Sequence, residues 1–390
     1  MNVPALPIFG IDIVAFSISL ATAFALFLAV SLTLNIEAGY TGIPNFGKVM
    51  FVAGGAALAG SVSGRLATLI LAINTNGDYN THIAQIITKI NTGLSNNPIL
   101  SIELLLTGVA LAAGIGGGLG LLASYPAIRL REDYLGMLLL ASAQLFQIFL
   151  GGYQPFIGGT QGIEVPDVFQ WAEIGTGVRD VAVLGVLAIF VVLVYIYAER
   201  MARSPLGRTL RAVRDNEHAA RALGKNDVAI RRNVIVIASA ICGMAGALIT
   251  FWVSSVGPDT WTRVTWTFWP WVIVILGGAA NNAGVALGAL VFTFIMEIIG
   301  QVKFSLQSYI PFDVNWLYYL VFAAMLLVTL ALRPGGILPE KSSTTLPRYS
   351  VAKIMQPWPV SGWDKVQPVS RPASAESTVK PQSDSHHDSG

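Results

Sequence analysis

RMARSPLGRTLRAVRDNEHAARALGKNDVAIRR, residues 200–232, is a charged island in an apolar chain. Nine of the 24 Lys and Arg in the sequence fall inside it, so this stretch belongs in water and, by the bias of basic loops toward the inner side of a membrane, in the cytoplasm. The runs on either side decide the fold class. Hydrophobic residues make up 54% of the chain and charged residues 12%, about half the charged share of an ordinary soluble domain. Several runs exceed the ~18 apolar residues that mark a membrane-spanning helix. The sequence reads as an all-α polytopic membrane protein.

Working outward from the island, candidate spans are Ile13–Leu34, Val49–Ile73, Leu100–Pro126, Tyr134–Gly151, Val181–Ala198, Asn233–Gly257 and Val314–Leu332. The N-terminal MNVPALPIFGID lacks the positive start of a cleavable signal, and the apolar run after it is too long for one, so Ile13–Leu34 reads as a retained first span. Arg129 and Arg131 mark a second inner loop. Arg333, Lys341, Arg348 and Lys353 put the C-terminus inside as well. The polar stretch Asn74–Asn97, and Glu164–Asp180 with Glu164, Asp167, Glu173 and Asp180, go outside.

These orientations constrain Trp266–Gly300, which must begin and end outside. Its Gly-rich polar break at Gly277–Gly284 predicts two short helices meeting in a hairpin, for about nine crossings in all; a re-entrant loop is the alternative. The first half carries a similar break, Gly39-Tyr-Thr-Gly-Ile-Pro-Asn-Phe-Gly47. Two broken segments in comparable places of two halves mark the translocation path in transporter folds. The path candidates are therefore Gly42, Pro44, Asn45 and Gly47 with Gly277, Gly278, Asn281 and Asn282. The glycines of Gly114–Gly120 read equally well as a close-packing surface. Residues 1–340 form the membrane domain, with 199–232 as its inner loop. Residues 341–390, rich in Ser, Pro, Thr and Lys, are expected to be a disordered tail.

Most site chemistry is missing. There is no GxxxxGK[ST] phosphate loop, so the chain has no ATP site of that kind, and no HExxH or Cys/His cluster. Cys242 sits in an apolar run and reads as a packing residue. His82, His218, His386 and His387 are scattered and build no Ser/His/Asp set. No metal, cofactor or nucleic acid is implied. The intramembrane charges considered are Arg65, Glu103 and Glu297. The two glutamates lie near helix ends, where side chains snorkel to the interface; Arg65 is deeper and is a candidate for the path or for a packing network. A membrane protein with so few intramembrane charges either draws energy from a partner or is a passive pore.

Within the island, Ser204 followed by Pro205 is a helix start. Arg208, Arg211 and Arg214 recur every third residue beside a stripe of Leu206, Leu210 and Val213. A second short helix is expected near Asn216–Leu223, capped by Asn216 or Asp215, with Glu217 in its first turn and Gly224 closing it. Ala219, Ala220 and Ala222 make it slim. Such a helix can seat in a partner's groove; a basic loop resting on anionic lipid is the competing reading.

The island resembles the cytoplasmic loop of the membrane subunits of ATP-binding-cassette importers, whose Glu-Ala-Ala-x-x-x-Gly signature docks on the ATPase. Here the match is His218-Ala219-Ala220-x-x-x-Gly224, with Glu217 one position early. SPLGRTLRAVRDNEHAARALG, followed by Gly243-Met-Ala-Gly-Ala247, resembles the branched-chain amino acid permease family, of the second-permease type that also includes urea permeases. Gly39-Tyr-Thr-Gly42, Arg129-Leu-Arg-Glu-Asp-Tyr134, Gly158-Gly-Thr-Gln-Gly-Ile163, Gly277-Gly278 and Leu332-Arg-Pro-Gly-Gly336 follow in the family's order, over residues 12–340. Departures are Glu132 where Gly is usual, Ala279-Ala-Asn-Asn282 in the hairpin, and the long 74–97 loop.

The resemblance implies a permease subunit in the cell membrane, paired as a heterodimer with a second related permease. It implies two cytoplasmic ATPase subunits that bind the ATP, an extracytoplasmic solute-binding protein, and alternating access. It assigns ATPase coupling to Arg208, Arg211, Arg214, Glu217, Ala219, Ala220 and Gly224. The solute expected is a branched-chain amino acid, with urea or short amides as alternatives. A stand-alone secondary transporter or channel is the rival function, and a membrane scaffold a further one.

Overall fold

The computed structural model describes residues 13–73, 82–130, 132–172, 177–307 and 315–340. Arg131, Glu173 and the 341–390 tail, with its basic residues and His386 and His387, lie outside the described residues.

The elements in chain order are α1 (Ile13–Leu34), α2 (Lys48–Ile70), α3 (Ile83–Asn96), α4 (Pro98–Arg129), α5 (Glu132–Gly152), α6 (Gln154–Ile157), β1 (Ile163–Glu164), α7 (Val178–Arg203), α8 (Pro205–Asp215), α9 (Glu217–Ala222), α10 (Asp227–Val253), β2 (Ser255–Val256), α11 (Trp269–Gly277), α12 (Asn282–Gln307) and α13 (Asn315–Leu332). Among the described residues, seven helical stretches are long and apolar enough to cross a membrane: Ile13–Tyr40, Lys48–Ile70, Pro98–Ala127, Asp133–Gly152, Val178–Arg203, Asp227–Val253 and Asn282–Lys303. Trp316–Leu332 is a shorter apolar helix, and α11 has nine residues.

The centre is a three-helix contact of α2, α4 and α10. Between helices in lipid, dispersion and close backbone approach replace the hydrophobic drive, so small residues concentrate at such contacts. A side chain on Gly55 of α2 would come within 2.5 Å of the Gly243 Cα, and one on Gly243 within 3.1 Å of the Gly116 Cα on α4. Gly116 and Gly120 face α10, which supports the packing reading for them, whereas Gly114 and Gly118 face open space. The two strands pair antiparallel, Ile163 with Val256, and join the loop after α6 to the end of α10.

Two expectations change. The Asn74–Asn97 stretch is not a plain loop, because α3 occupies its second half. Ile86, Ile87, Ile90 and Leu94 recur at helical spacing and are buried, while the opposite face is exposed. The late hairpin is also asymmetric. A π-type turn (Val264–Phe268) leads into α11, and the return helix α12 runs 26 residues, so a short helix meets a long one. They pack antiparallel: a side chain on Gly288 of α12 would come within 2.9 Å of the Gly277 Cα. The polar break between them falls at Gly278–Asn281, within the predicted stretch.

Candidate functional site

The first break lies between α1 and α2. Residues Asn35–Tyr40 continue α1 as a π-type turn, Gly42 takes a left-handed conformation (φ 75°), and residues 42–47 run without helix until Lys48 starts α2. Irregular backbone inside a membrane protein survives only where protein or a water-filled cavity covers it, and a network of buried side chains surrounds this break. Lys48 Nζ lies 2.5 Å from Glu37 Oε2, and neither side chain has any solvent exposure. Asn45 Nδ2 donates to both carboxylate oxygens of Glu37, at 3.2 and 3.1 Å. Lys48 also donates to Thr33 Oγ1 at 3.0 Å and lies 3.8 Å from the Cys242 sulfur. Trp271 Nε1 donates to the Asn45 carbonyl, and Thr267 Oγ1 accepts from the Val49 amide, which fastens the break to α11 and the turn before it.

The second break is bound to the first. Asn35 Oδ1 accepts from the Ala280 amide at 2.8 Å, and Asn35 Nδ2 donates to Asn282 Oδ1 at 2.9 Å. Asn282 Nδ2 continues the chain to Glu199 at the end of α7, at 3.0 Å. Asn281 caps α12 by accepting from the Gly284 amide, and its Nδ2 donates to the Leu338 and Pro339 carbonyls. Gly278 adopts φ 111°, a conformation open to glycine, and the Leu338 carbonyl oxygen occupies the space a side chain would need. Ala280 also has positive φ, 59°, and its amide is the one held by Asn35.

The charged island lies against this node. Ser204 Oγ accepts from the Gly207 amide and starts α8, and Leu210 and Val213 are buried, while Leu206 is exposed. Arg214 Nη1 donates to the Gly39 carbonyl at 2.6 Å, and the Arg211 guanidinium sits 5.1 Å above the Tyr40 ring. Both arginines pair with Glu340, each at 3.0 Å. Burial of Arg214 works against its charge, but Asp215 and Glu340 outweigh that and raise its pKa. Asn216 Oδ1 accepts from the Ala219 amide and starts α9, and Gly224 ends the unit at φ 76°. Glu217 pairs with Arg231 at 2.9 Å, and Arg221 with Asp227 at 2.7 Å; hydrogen bonding to Asp227 raises the Arg221 pKa.

The predicted residues therefore sort by place. Asn45, Gly47, Gly277, Gly278, Asn281 and Asn282 are buried in or beside the node, with Gly42 and Pro44 half-buried at its rim. Of the island set, Arg211, Arg214 and Ala220 face inward, Glu217 is tied to α10, and Arg208, Ala219 and Gly224 face outward beside His218 and the 79% exposed Leu223. Arg65 is elsewhere. It bonds Ser61 Oγ at 2.7 Å and the Pro155 carbonyl at 2.5 Å, about 25 Å along α2 from Lys48 at the helical rise of ~1.5 Å per residue. The polar residues missed from sequence are Asn35, Glu37, Lys48, Glu199 and Glu340. Glu37 and Lys48 stand in the sequence as charges flanking the Gly/Pro break, at the ends of the apolar runs.

At the other end of the molecule, an open polar groove of about 490 Å³ is lined by Thr160, Gln161, Glu164, Ser255, Asp259 and neighbours. Arg179 of α7 pairs with Asp167 at 2.5 Å and donates to the Trp252 carbonyl at 3.0 Å.

Residues 16–330 match the family model of the branched-chain amino acid transport system permease component. The chain is 36% identical over 335 residues to the probable branched-chain amino acid transport permease protein LivM of Methanocaldococcus jannaschii, covering 85% of this chain and 95% of that protein. It is 26% identical over 255 residues to the high-affinity branched-chain amino acid transport system permease proteins LivM of Salmonella typhimurium and of Escherichia coli, covering 60% of this chain and 57% of each. No solved structure matches the chain.

Proposed function

The chain belongs to the branched-chain amino acid transport permease family, a membrane component of ABC transport systems, and from that premise we propose that it passes branched-chain amino acids across the cell membrane by alternating access, driven by a partner ATPase. The names of its relatives support that solute over urea or amides. In this reading the island is cytoplasmic and so is the C-terminus, and α11 and α13 complete nine crossings. A second, related permease supplies the other half of the path. ATP is bound by two ATPase subunits, and a solute-binding protein docks over the groove at Glu164 and Asp259.

The observation that carries the reading is the contact of α8 with the node. The outward face of α8–α9, made of Arg208, His218, Ala219, Leu223 and Gly224, is free for an ATPase, while the inward face holds Gly39 and Tyr40 through Arg214 and Arg211. Movement of α8 when the ATPases close is delivered to the first break, and from there to the second through Asn35 and Asn282. A stand-alone carrier needs titratable groups that meet water on alternate sides; Glu37 and Lys48, with no exposure, fit a structural pin better.

The test is co-purification of the ATPase with the assembled transporter carrying Ala219→Trp and Leu223→Asp, together with leucine uptake. Both are expected to be lost while the permease still folds. Unchanged association and uptake would refute ATPase docking on this face.

A further inference from the structure

We propose that residues 335–340 are a transmission strap and that Glu340 is the positioning residue through which α8 moves the α11–α12 hairpin; this rests on the coupling role just proposed for α8–α9. The strap is joined to the hairpin break along its backbone. The Ile337 amide donates to the Leu276 carbonyl at 2.9 Å and the Leu338 amide to the Gly277 carbonyl at 3.0 Å. Asn281 returns two bonds to the strap, to the carbonyls of Leu338 and Pro339 at 3.3 and 3.1 Å. Gly336 and Gly278 are in direct backbone contact: a side chain on Gly336 would stand 2.5 Å from the Gly278 Cα. Strap and break therefore move as one piece.

At the strap's end, Glu340 reaches α8. Its two carboxylate oxygens divide between two arginines, Oε1 to Arg211 and Oε2 to Arg214, both at 3.0 Å. Among the described residues α8 makes no hydrogen bond or ion pair of its own to α11 or α12. The same two arginines hold the first break directly, at the Gly39 carbonyl and the Tyr40 ring. One pair of side chains thus grips both breaks, the first by contact and the second through Glu340. The Glu340 side chain is 30% exposed and its partners 19% and 25%, so the clasp lies near the surface and its loss is expected to leave the fold standing. Its role is to make the two breaks move in step.

The experiment uses the full transporter, with its ATPases, second permease and leucine-loaded binding protein, in proteoliposomes. Leucine transported per ATP hydrolysed is measured for the native chain, Glu340→Gln, Glu340→Asp and Arg211→Gln. The expectation is a roughly fivefold fall in the ratio for Glu340→Gln, with ATPase association, hydrolysis and thermal stability kept, and partial rescue by Glu340→Asp. Arg211→Gln also frees the Tyr40 ring of the first break and is expected to lower the ratio as well, so if Glu340→Gln does not assemble, the fall for Glu340→Asp, which leaves both arginines on the first break, gives the answer. An unchanged ratio overturns the strap, as does a joint fall of association, hydrolysis and stability, which marks a structural prop. A native chain that does not bind the ATPase overturns instead the coupling role on which the strap rests.

Discussion

Lys48→Met removes one half of a fully buried ion pair. The methionine side chain nearly matches the length and volume of the lysine stem, so the void it leaves is small, and the loss is electrostatic. Glu37 is left with no exposure and only the two bonds from Asn45 Nδ2, at 3.2 and 3.1 Å. Thr33 loses a donor but keeps its own bond to the Val30 carbonyl. Removing one partner of a buried pair costs about 3–5 kcal/mol, whereas replacing both by groups of similar volume is often neutral. Lys48→Met is therefore expected to lose about 3–5 kcal/mol. Glu37→Gln alone strands the buried Lys48 and is expected to cost about as much, whereas added to Lys48→Met it keeps an acceptor for Asn45 and is expected to recover about half of that loss or more, so the coupling in the double-mutant cycle should exceed ~3 kcal/mol. Equilibrium unfolding in mixed micelles, followed by tryptophan fluorescence, measures all four corners. A loss below ~1 kcal/mol for the single variant, or strict additivity of the two, would show that the pair is hydrated or independent and that the first break is held by something else.

Asn282→Ala cuts the link from Asn35 to Glu199 and leaves the buried Asn35 Nδ2 without its acceptor; unfolding should show a loss of about 1–3 kcal/mol, and leucine uptake should fall while the ATPase still co-purifies. Gly243→Val drives side-chain atoms into the Ala112 and Gly116 backbone of α4, so size-exclusion chromatography is expected to show loss of monodisperse protein, with a cost of ~1–3 kcal/mol or more. Gly224→Ala meets open space but must hold φ 76°; it should cost only about 1–2 kcal/mol locally, read by hydrogen exchange in α9 rather than by global unfolding.

The long elements were legible because their signals are local. The run Ile13–Leu34 coincides with α1, and Ser204-Pro205 starts α8 as its cap chemistry requires. The orientation argument from the basic island led to a hairpin, and the break of that hairpin lies in the predicted stretch. Its lengths were not legible, because the Gly-rich segment 284–288 continues as helix: Gly284 and Gly288 serve close packing against α11 rather than ending α12. The α3 helix carries a readable spacing at Ile86, Ile87, Ile90 and Leu94, set in a stretch whose polar composition argues for a loop.

At the site, both breaks are legible as Gly-broken segments, but that they are bonded to each other through Asn35, and by which side chains, is not. Nothing in the spacing of Glu37 and Lys48 announces that a carboxylate and an amine eleven positions apart meet across an extended stretch. Glu340 is the last residue of the membrane domain in the sequence reading, and nothing local in the sequence points to its partners. Its partners lie more than a hundred positions away and are brought to it by the fold alone.

The central claim is that the outward face of α8–α9 is where an ATPase drives this permease. A photo-crosslinking amino acid placed at Leu223, with a second at Glu164 in the polar groove as control, tests it in intact cells. The account predicts that the Leu223 probe captures the ATPase and that the Glu164 probe does not. Capture of lipid alone at Leu223, with the ATPase absent, would mean that the island rests on the membrane surface and would contradict the account.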